Sequence, residues 1–237
     1  MAQLFVGTSG FAYASWKPDF YPAKLPAKEF LRFYGERLNS TEINYTFRQL
    51  PKGDTLKSWV AATPPEFVFS LKAHMRLTHI MKLKDAGPFL EVFLKAIDPL
   101  RSSRRLGPVL YQLPPTFRCD LAVLADFLAL LPTDVRHAFE FRHASWLDDK
   151  VYDLLKQHGV ALCLAESEKL VVPQVITAPF VYARLRKPDY TEEDRAEIAR
   201  RASDIMSGDR DLFVYFKHED TPHGAMYAQE LLGVLSR

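Results

Sequence analysis

Cysteine is scarce: the 237 residues contain two, Cys119 and Cys163, in separate apolar contexts. Neither CxxC nor Cys/His ligand spacing surrounds them, which excludes a disulfide scaffold and a zinc finger and leads us to expect a reducing cytoplasm. Long hydrophobic runs are missing too. No stretch approaches about 18 consecutive apolar residues, and MAQLFVGTSG lacks a basic segment followed by an apolar core, so neither a transmembrane helix nor a signal peptide is expected. Charge of one sign is also missing. Lys+Arg 31 against Asp+Glu 29 leaves +2, too little to require a nucleic-acid or membrane partner, and any anion preference has to come from local clustering. No linker-like, repetitive or low-complexity segment interrupts the chain, so one domain over 1–237 is expected. Nucleotide-cofactor signatures are absent as well. GTSG (7–10) matches neither GxGxxG nor GxxxxGK[ST], which leaves only its backbone amides as candidates to meet an anion.

What is present is an alternation. With 48% hydrophobic and 25% charged residues, the chain has the composition of a globular protein. Short runs rich in β-branched and aromatic residues read as strands: QLFVG (3–7), STEINYTF (40–47), FVFSLK (67–72), PVLYQL (108–113), HAFEF (137–141), VALCL (160–164), FVYARL (180–185) and LFVYFK (212–217). Between them lie helical spacings, such as Phe89, Phe93, Ala96, Ile97 and Leu100, or Leu121, Leu124, Leu128 and Leu131. Pro26 is placed to open a first helix. Thr191 followed by Glu192, Glu193 and Asp194 signals another helix start, with acids at the positive end of the dipole. The sixth crossover, 166–179, contains Pro173 and few helix formers, so its helix is expected to be short or absent. Eight such units predict an α/β fold, a closed TIM (β/α)₈ barrel. An open doubly wound sheet, the alternative, needs a topological switch that no segment supplies.

Side chains of one parity on a barrel strand point inward and those of the other meet the helices. On this rule Glu42, Asn44 and Thr46 share a face, as do Ser70, Lys72 and His74. So do Glu140 and Arg142, then Tyr182, Arg184 and Arg186, and finally Tyr215 and Lys217. The polar parity is expected to face inward. A charged group inside a barrel is costly unless paired or solvated, and water is available only at the rims. Because these residues lie near the C-terminal ends of their strands, they point to the mouth where barrel enzymes build active sites. The competing account is a structural Glu/Arg network that plugs the barrel top.

GTSGFAYASWKPDFYP (7–22), STEINYTFRQLP (40–51), FVFSLKAHMRLTH (67–79), LGPVLYQLPPTF (106–117) and EFRHASW (140–146) together resemble the YecE-like family, domain of unknown function 72. The resemblance runs in order along nearly the whole chain. It implies a TIM barrel and brings no settled activity. The chain departs from it late, with Arg184, Leu185, Arg186 and Lys187 where an Arg-x-His-Gly type segment is common, and with Lys217 and His218 where amides are expected.

Glu42 and Glu140 are the candidate acid and base, since neighbouring carboxylates in a poorly solvated mouth have separated pKa values. The expected substrate-binding set is Asn44, Lys72, His74, Gln112, Arg142, His143, Trp146, Arg184 and Lys217. The cations Lys72, Arg76, Arg142, Arg184, Arg186 and Lys217 argue for a small anionic ligand, because guanidinium offers bidentate contacts to phosphate or carboxylate. Phe11, Tyr13, Trp16, Phe20, Tyr21 and Trp146 either wall a pocket or pack their loops. His74, His79, His143, His218 and His223 follow strands without HExxH or comparable spacing, so no metal is assigned and a divalent ion is the weaker alternative. The leading expectation is a barrel enzyme, a hydrolase, lyase or isomerase, acting by acid/base chemistry on a small anionic or polyhydroxylated substrate. The alternatives are a barrel that binds or cuts nucleic acid and a non-catalytic scaffold. Oligomeric state is not legible.

Overall fold

The computed structural model describes residues 2–217 and 220–235. Eight parallel strands, β1 (Leu4–Thr8), β2 (Ser40–Ile43), β3 (Val68–Lys72), β4 (Leu106–Gln112), β5 (His137–Glu140), β6 (Ala161–Ala165), β7 (Phe180–Leu185) and β8 (Asp211–Phe216), form one sheet in the order 1-8-7-6-5-4-3-2. The helices are α1 (Phe30–Gly35), α2 (Gly53–Ala61), α3 (Gly87–Ser102), α4 (Leu121–Leu128), α5 (Asp149–Gln157), α6 (Glu192–Ser207) and α7 (His223–Leu235). Every crossover except that between β6 and β7 carries one, as the composition of 166–179 predicts. The fold is a TIM barrel.

Local chemistry explains the elements. Burying Leu90, Phe93, Ile97 and Leu100 draws one stripe of α3 onto the sheet. Thr191 and Asp194 close a reciprocal capping box at the start of α6, with the Asp194 amide 3.1 Å from Thr191 Oγ1 and the Thr191 amide 3.0 Å from Asp194 Oδ2. The first helix follows Pro26 through a short 3₁₀ turn (Ala27–Glu29).

Strand alternation divides the core in two. Val6, Phe69, Leu71, Val109, Phe139 and Val181 face the helices, whereas Leu110, Ala138, Cys163, Phe180, Tyr182 and Phe213 pack inside the barrel. Phe5 stacks on Phe213 with centroids 4.5 Å apart. Nearer the C-terminal ends the interior turns polar: Tyr215 OH lies 2.7 Å from both Ser40 Oγ and Ser70 Oγ.

The ring is closed at β1 and β2 by unusual means. Strand β1 pairs with β8 along a register from Leu4↔Leu212 to Thr8↔Phe216, yet meets β2 through one backbone bridge, Ser9↔Glu42. Side chains stitch the rest. Asn39 Oδ1 accepts from the Val6 amide at 2.8 Å while its Nδ2 donates to Leu4 O at 2.6 Å. Tyr34 OH accepts from the Thr8 amide at 2.8 Å and contacts Ser40 O at 3.1 Å. The approach requires glycine, because a Cβ on Gly7 would lie 1.8 Å from Ser40 O.

One expected strand ends early. Asn44 adopts helical torsions (φ −87°, ψ −17°), and Tyr45–Phe47 forms a 3₁₀ turn, so alternation stops at Ile43. Thr46 Oγ1 then donates to Lys72 O at 2.7 Å, fastening the turn to the end of β3. The vacant sixth-helix position leaves a cavity of about 630 Å³ on the outer face of β6, β7 and β8, roofed by residues of the 166–174 segment.

Candidate functional site at the barrel mouth

Strand β7 delivers Arg184 to the top of the interior, 2% exposed and forked between two carboxylates from other strands. Its Nη1 donates to Glu140 Oε2 at 2.6 Å and its Nη2 to Glu42 Oε1 at 2.7 Å. Around Glu42, Ser9 Oγ donates to Oε1 at 2.7 Å and Tyr182 OH to Oε2 at 2.6 Å. Around Glu140, Gln112 Nε2 donates to Oε2 at 2.8 Å and Arg142 Nε to Oε1 at 3.0 Å. Arg186 Nη2 completes the shell, 2.9 Å from Oε1 and 3.0 Å from Oε2.

Burial opposes ionisation of Glu140, but the guanidiniums of Arg184, Arg186 and Arg142, with the Gln112 amide, outweigh it and hold the carboxyl well below the usual carboxylate range. The expectation of an acid/base pair meets a steric difficulty as well: Glu42 is 0% and Glu140 2% exposed. Their oxygens are occupied by partners that would have to yield before a substrate could reach them.

Lys72 stands differently. Its Nζ lies 4.0 Å from the centre of the Phe47 ring and makes neither hydrogen bond nor ion pair among the described residues. Burial and the charges of Arg184 and Arg142, opposed by Glu42 and Glu140, lower its pKa to about 8. His79 packs edge-on against the same ring, with centroids 5.0 Å apart. Burial, Lys72 and Arg142 push its pKa down. Four cations, Lys72, Arg142, Arg184 and Arg186, therefore face two carboxylates, and the mouth carries an excess of positive charge.

The geometry gathers Glu42, Lys72, Glu140, Arg142 and Arg184, the residues that parity turns inward, together with Gln112 of the expected binding set, and adds residues outside that set. Tyr182 and Arg186 share the inward parity of Arg184. Ser9 lies beyond the end of β1, where only the bridge to Glu42 reveals its direction. Asn44 is half-buried in the turn after β2 and makes no side-chain hydrogen bond among the described residues.

Other expected residues serve local structure. Trp146 is 0% exposed, stacks on Phe141 and donates from Nε1 to Phe117 O at 2.7 Å; it packs the fifth loop and offers no open face. His143 Nδ1 accepts from the Ser145 amide at 3.1 Å within its own turn. His74 turns away beyond β3, its Nδ1 accepting from the Arg76 amide at 3.1 Å and its ring 5.1 Å from Phe89 of α3. Lys217 is exposed past β8, and His218 lies outside the described residues. In the first loop Trp16, Phe20 and Tyr21 are buried against one another, which settles those aromatics as packing. The GTSG amides are spent internally: Thr8 N on Tyr34, Ser9 N on Phe216 O and Gly10 N on Glu42 O. Among the described residues no three of His, Cys, Asp or Glu converge as a metal would need.

The family model described as "Protein of unknown function DUF72" matches residues 5–237. The chain belongs to the DUF72 family. It is 21% identical over 269 residues to UPF0759 protein YunF of Bacillus subtilis (strain 168), across 98% of this chain and 94% of YunF. The structure of a DUF72 family protein (TM1631) from Thermotoga maritima MSB8 superposes with a TM-score of 0.88 at 24% identity, covering 99% of this chain and 100% of that one. An AP endonuclease, family 2, from Brucella melitensis shares the barrel at a TM-score of 0.55 and 11% identity, covering 100% and 98% of the two chains. At these identities the structural likenesses speak to fold. The DUF72 match and the mouth geometry are independent observations, one of ancestry and one of charge.

Proposed function

We propose that this DUF72 barrel is an enzyme that receives a small anionic substrate at its mouth, with Lys72 as the proton-exchanging group. The observation that carries this reading is Lys72 Nζ, placed at the end of β3 over the Phe47 ring, within the field of the Arg142 and Arg184 guanidiniums, and making neither hydrogen bond nor ion pair among the described residues. In this reading Glu42, Glu140 and Arg184 form a rigid charged floor. Glu140 stays ionised because three cations surround it. Arg142 and Arg186, tethered to that floor, retain donors directed by their forks toward an incoming phosphate or carboxylate. Lys72 contributes charge when protonated and acts as a base when neutral, and a group that titrates near the working pH exchanges protons most effectively. Asn44, with its side-chain amide uncommitted, orients a carbonyl or hydroxyl of the substrate.

The test is a thermal-shift screen of phosphorylated metabolites, small carboxylates and sugars on wild type and Lys72→Met. Saturable stabilisation by an anion that falls at least about tenfold in affinity in Lys72→Met supports the reading, on the usual worth of a charged hydrogen bond. Equal affinity in the two proteins removes Lys72 from the site. The barrel shared with the Brucella AP endonuclease favours a second reading, in which the anion is a nucleic-acid phosphate. That reading demands binding to oligonucleotides that weakens steeply and linearly with log salt.

A further inference from the structure

The cavity left by the vacant sixth helix has a character of its own. Its floor is the outward face of the sheet, Leu164, Ala183 and Val214, and its wall is Ile198, Ala202 and Ile205 of α6. At about 630 Å³ it falls within the roughly 300–1,000 Å³ of small-molecule sites. The lining chains lose packing partners wherever nothing fills that space. Its rim is cationic: Lys169, Arg186, Lys187 and Arg201 border it, against Glu166 and Glu168.

These charges are unequally available. Glu166 Oε2 accepts from the Arg186 amide at 2.6 Å and the Lys187 amide at 3.2 Å, so it is committed to shaping the loop. Lys187 Nζ is held 2.7 Å from Asp194 Oδ1, and Arg201 Nε lies 4.0 Å from Glu197. Lys169 has no ion pair among the described residues. Arg186 turns its guanidinium inward, with Nη2 2.9 Å from Glu140 Oε1, so its charge belongs to the mouth.

We propose that this cavity is a second binding site, distinct from the mouth, for an amphipathic anion: an acyl chain bearing a carboxylate head. The chain lies along Leu164, Ala183, Val214 and Ile205, and the head meets Lys169 at the rim. An apolar floor discriminates against free phosphate, and the cationic rim discriminates against amines.

The probe is decanoate, titrated onto the full chain by calorimetry beside decanol and decylamine. Decanoate is expected to bind saturably and to raise the melting temperature. Decanol and decylamine are expected to bind at least about tenfold more weakly, the worth of one charge-assisted contact. Ala183→Phe projects a ring into the cavity from a half-buried position and should abolish decanoate binding while leaving anion binding at the mouth intact. If that variant does not fold, Ile205→Trp fills the same space from the helix side. Lys169→Glu should weaken decanoate at least tenfold. The proposal is overturned by decanol binding as tightly as decanoate, by undiminished binding in the folded cavity-filling variant, or by no saturable binding at millimolar decanoate. Each of these leaves the mouth reading untouched.

Discussion

Arg184 and Glu42, 142 positions apart in the chain, meet at 2.7 Å with side chains 2% and 0% exposed. The fork continues to Glu140, so one guanidinium joins strands from three parts of the ring. Buried ion pairs contribute little net stability when complete, but breaking one strands an uncompensated charge.

Glu140→Gln should therefore cost about 3–5 kcal/mol, since the amide keeps the shape but leaves Arg184 and Arg186 short of one negative charge. For a chain of this length such a loss corresponds to a drop on the order of 10 °C in melting temperature. Differential scanning calorimetry of the two proteins checks it. An unchanged melting temperature would remove Glu140 from the structural role.

Acid should act through the same group. The folded pKa of Glu140 is depressed, so its stabilisation is present above the ordinary glutamate value of about 4.3 and is lost as pH falls from there toward the folded value. Denaturation free energies of wild type and Glu140→Gln should differ by a constant amount at pH 5–8 and converge only below about pH 4. Convergence already near neutral pH would show that Glu140 is not held ionised.

Lys72 gives the opposite window. Its folded pKa of about 8 lies below the ordinary 10.5, so the unfolded chain binds more protons between those values and stability rises with pH across that interval. Anion affinity at the mouth should fall as pH rises through about 8. Lys72→Met should flatten both profiles, read by denaturant titration and by calorimetry. A wild-type affinity independent of pH from 7 to 9 would count against Lys72 as an anion contact.

Gly7→Ala tests the β1–β2 junction. The added methyl would meet a backbone carbonyl that no rotamer change can move, and overpacking of this kind costs about 3 kcal/mol. A chemical denaturation midpoint within error of wild type would show that β1 can retreat from β2.

How much of this was legible depends on the range over which each feature is decided. Strands such as FVYARL announce themselves because β-branched and aromatic runs are local, and the two-residue alternation carried Glu42, Glu140 and Arg184 to one mouth. The missing sixth helix was equally local, written in Pro173 and its neighbours. The early end of β2 was not, since EINYTF alternates faultlessly while the chain turns there through bonds such as Phe47 N to Asn44 O, and the long-range bond from Thr46 to Lys72 O fastens the turn. Pairing was the least accessible feature. Nothing near Trp146 shows that Phe117 O receives its indole, and nothing near Lys72 shows that the carboxylates of its mouth are already taken.

The lopsided attachment of β1 has a temporal side. Its full ladder is with β8, and Gln3 N reaches Asp211 across 208 residues of chain. During synthesis at about 5–20 residues per second, the first strand waits on the order of 10–40 s for its principal partner. Until then its hydrogen-bonding edge is open, and Glu42 is made long before Arg184. Unpaired edges of that kind invite pairing with other chains, so the newborn protein is most exposed to aggregation in the interval before its last strand emerges.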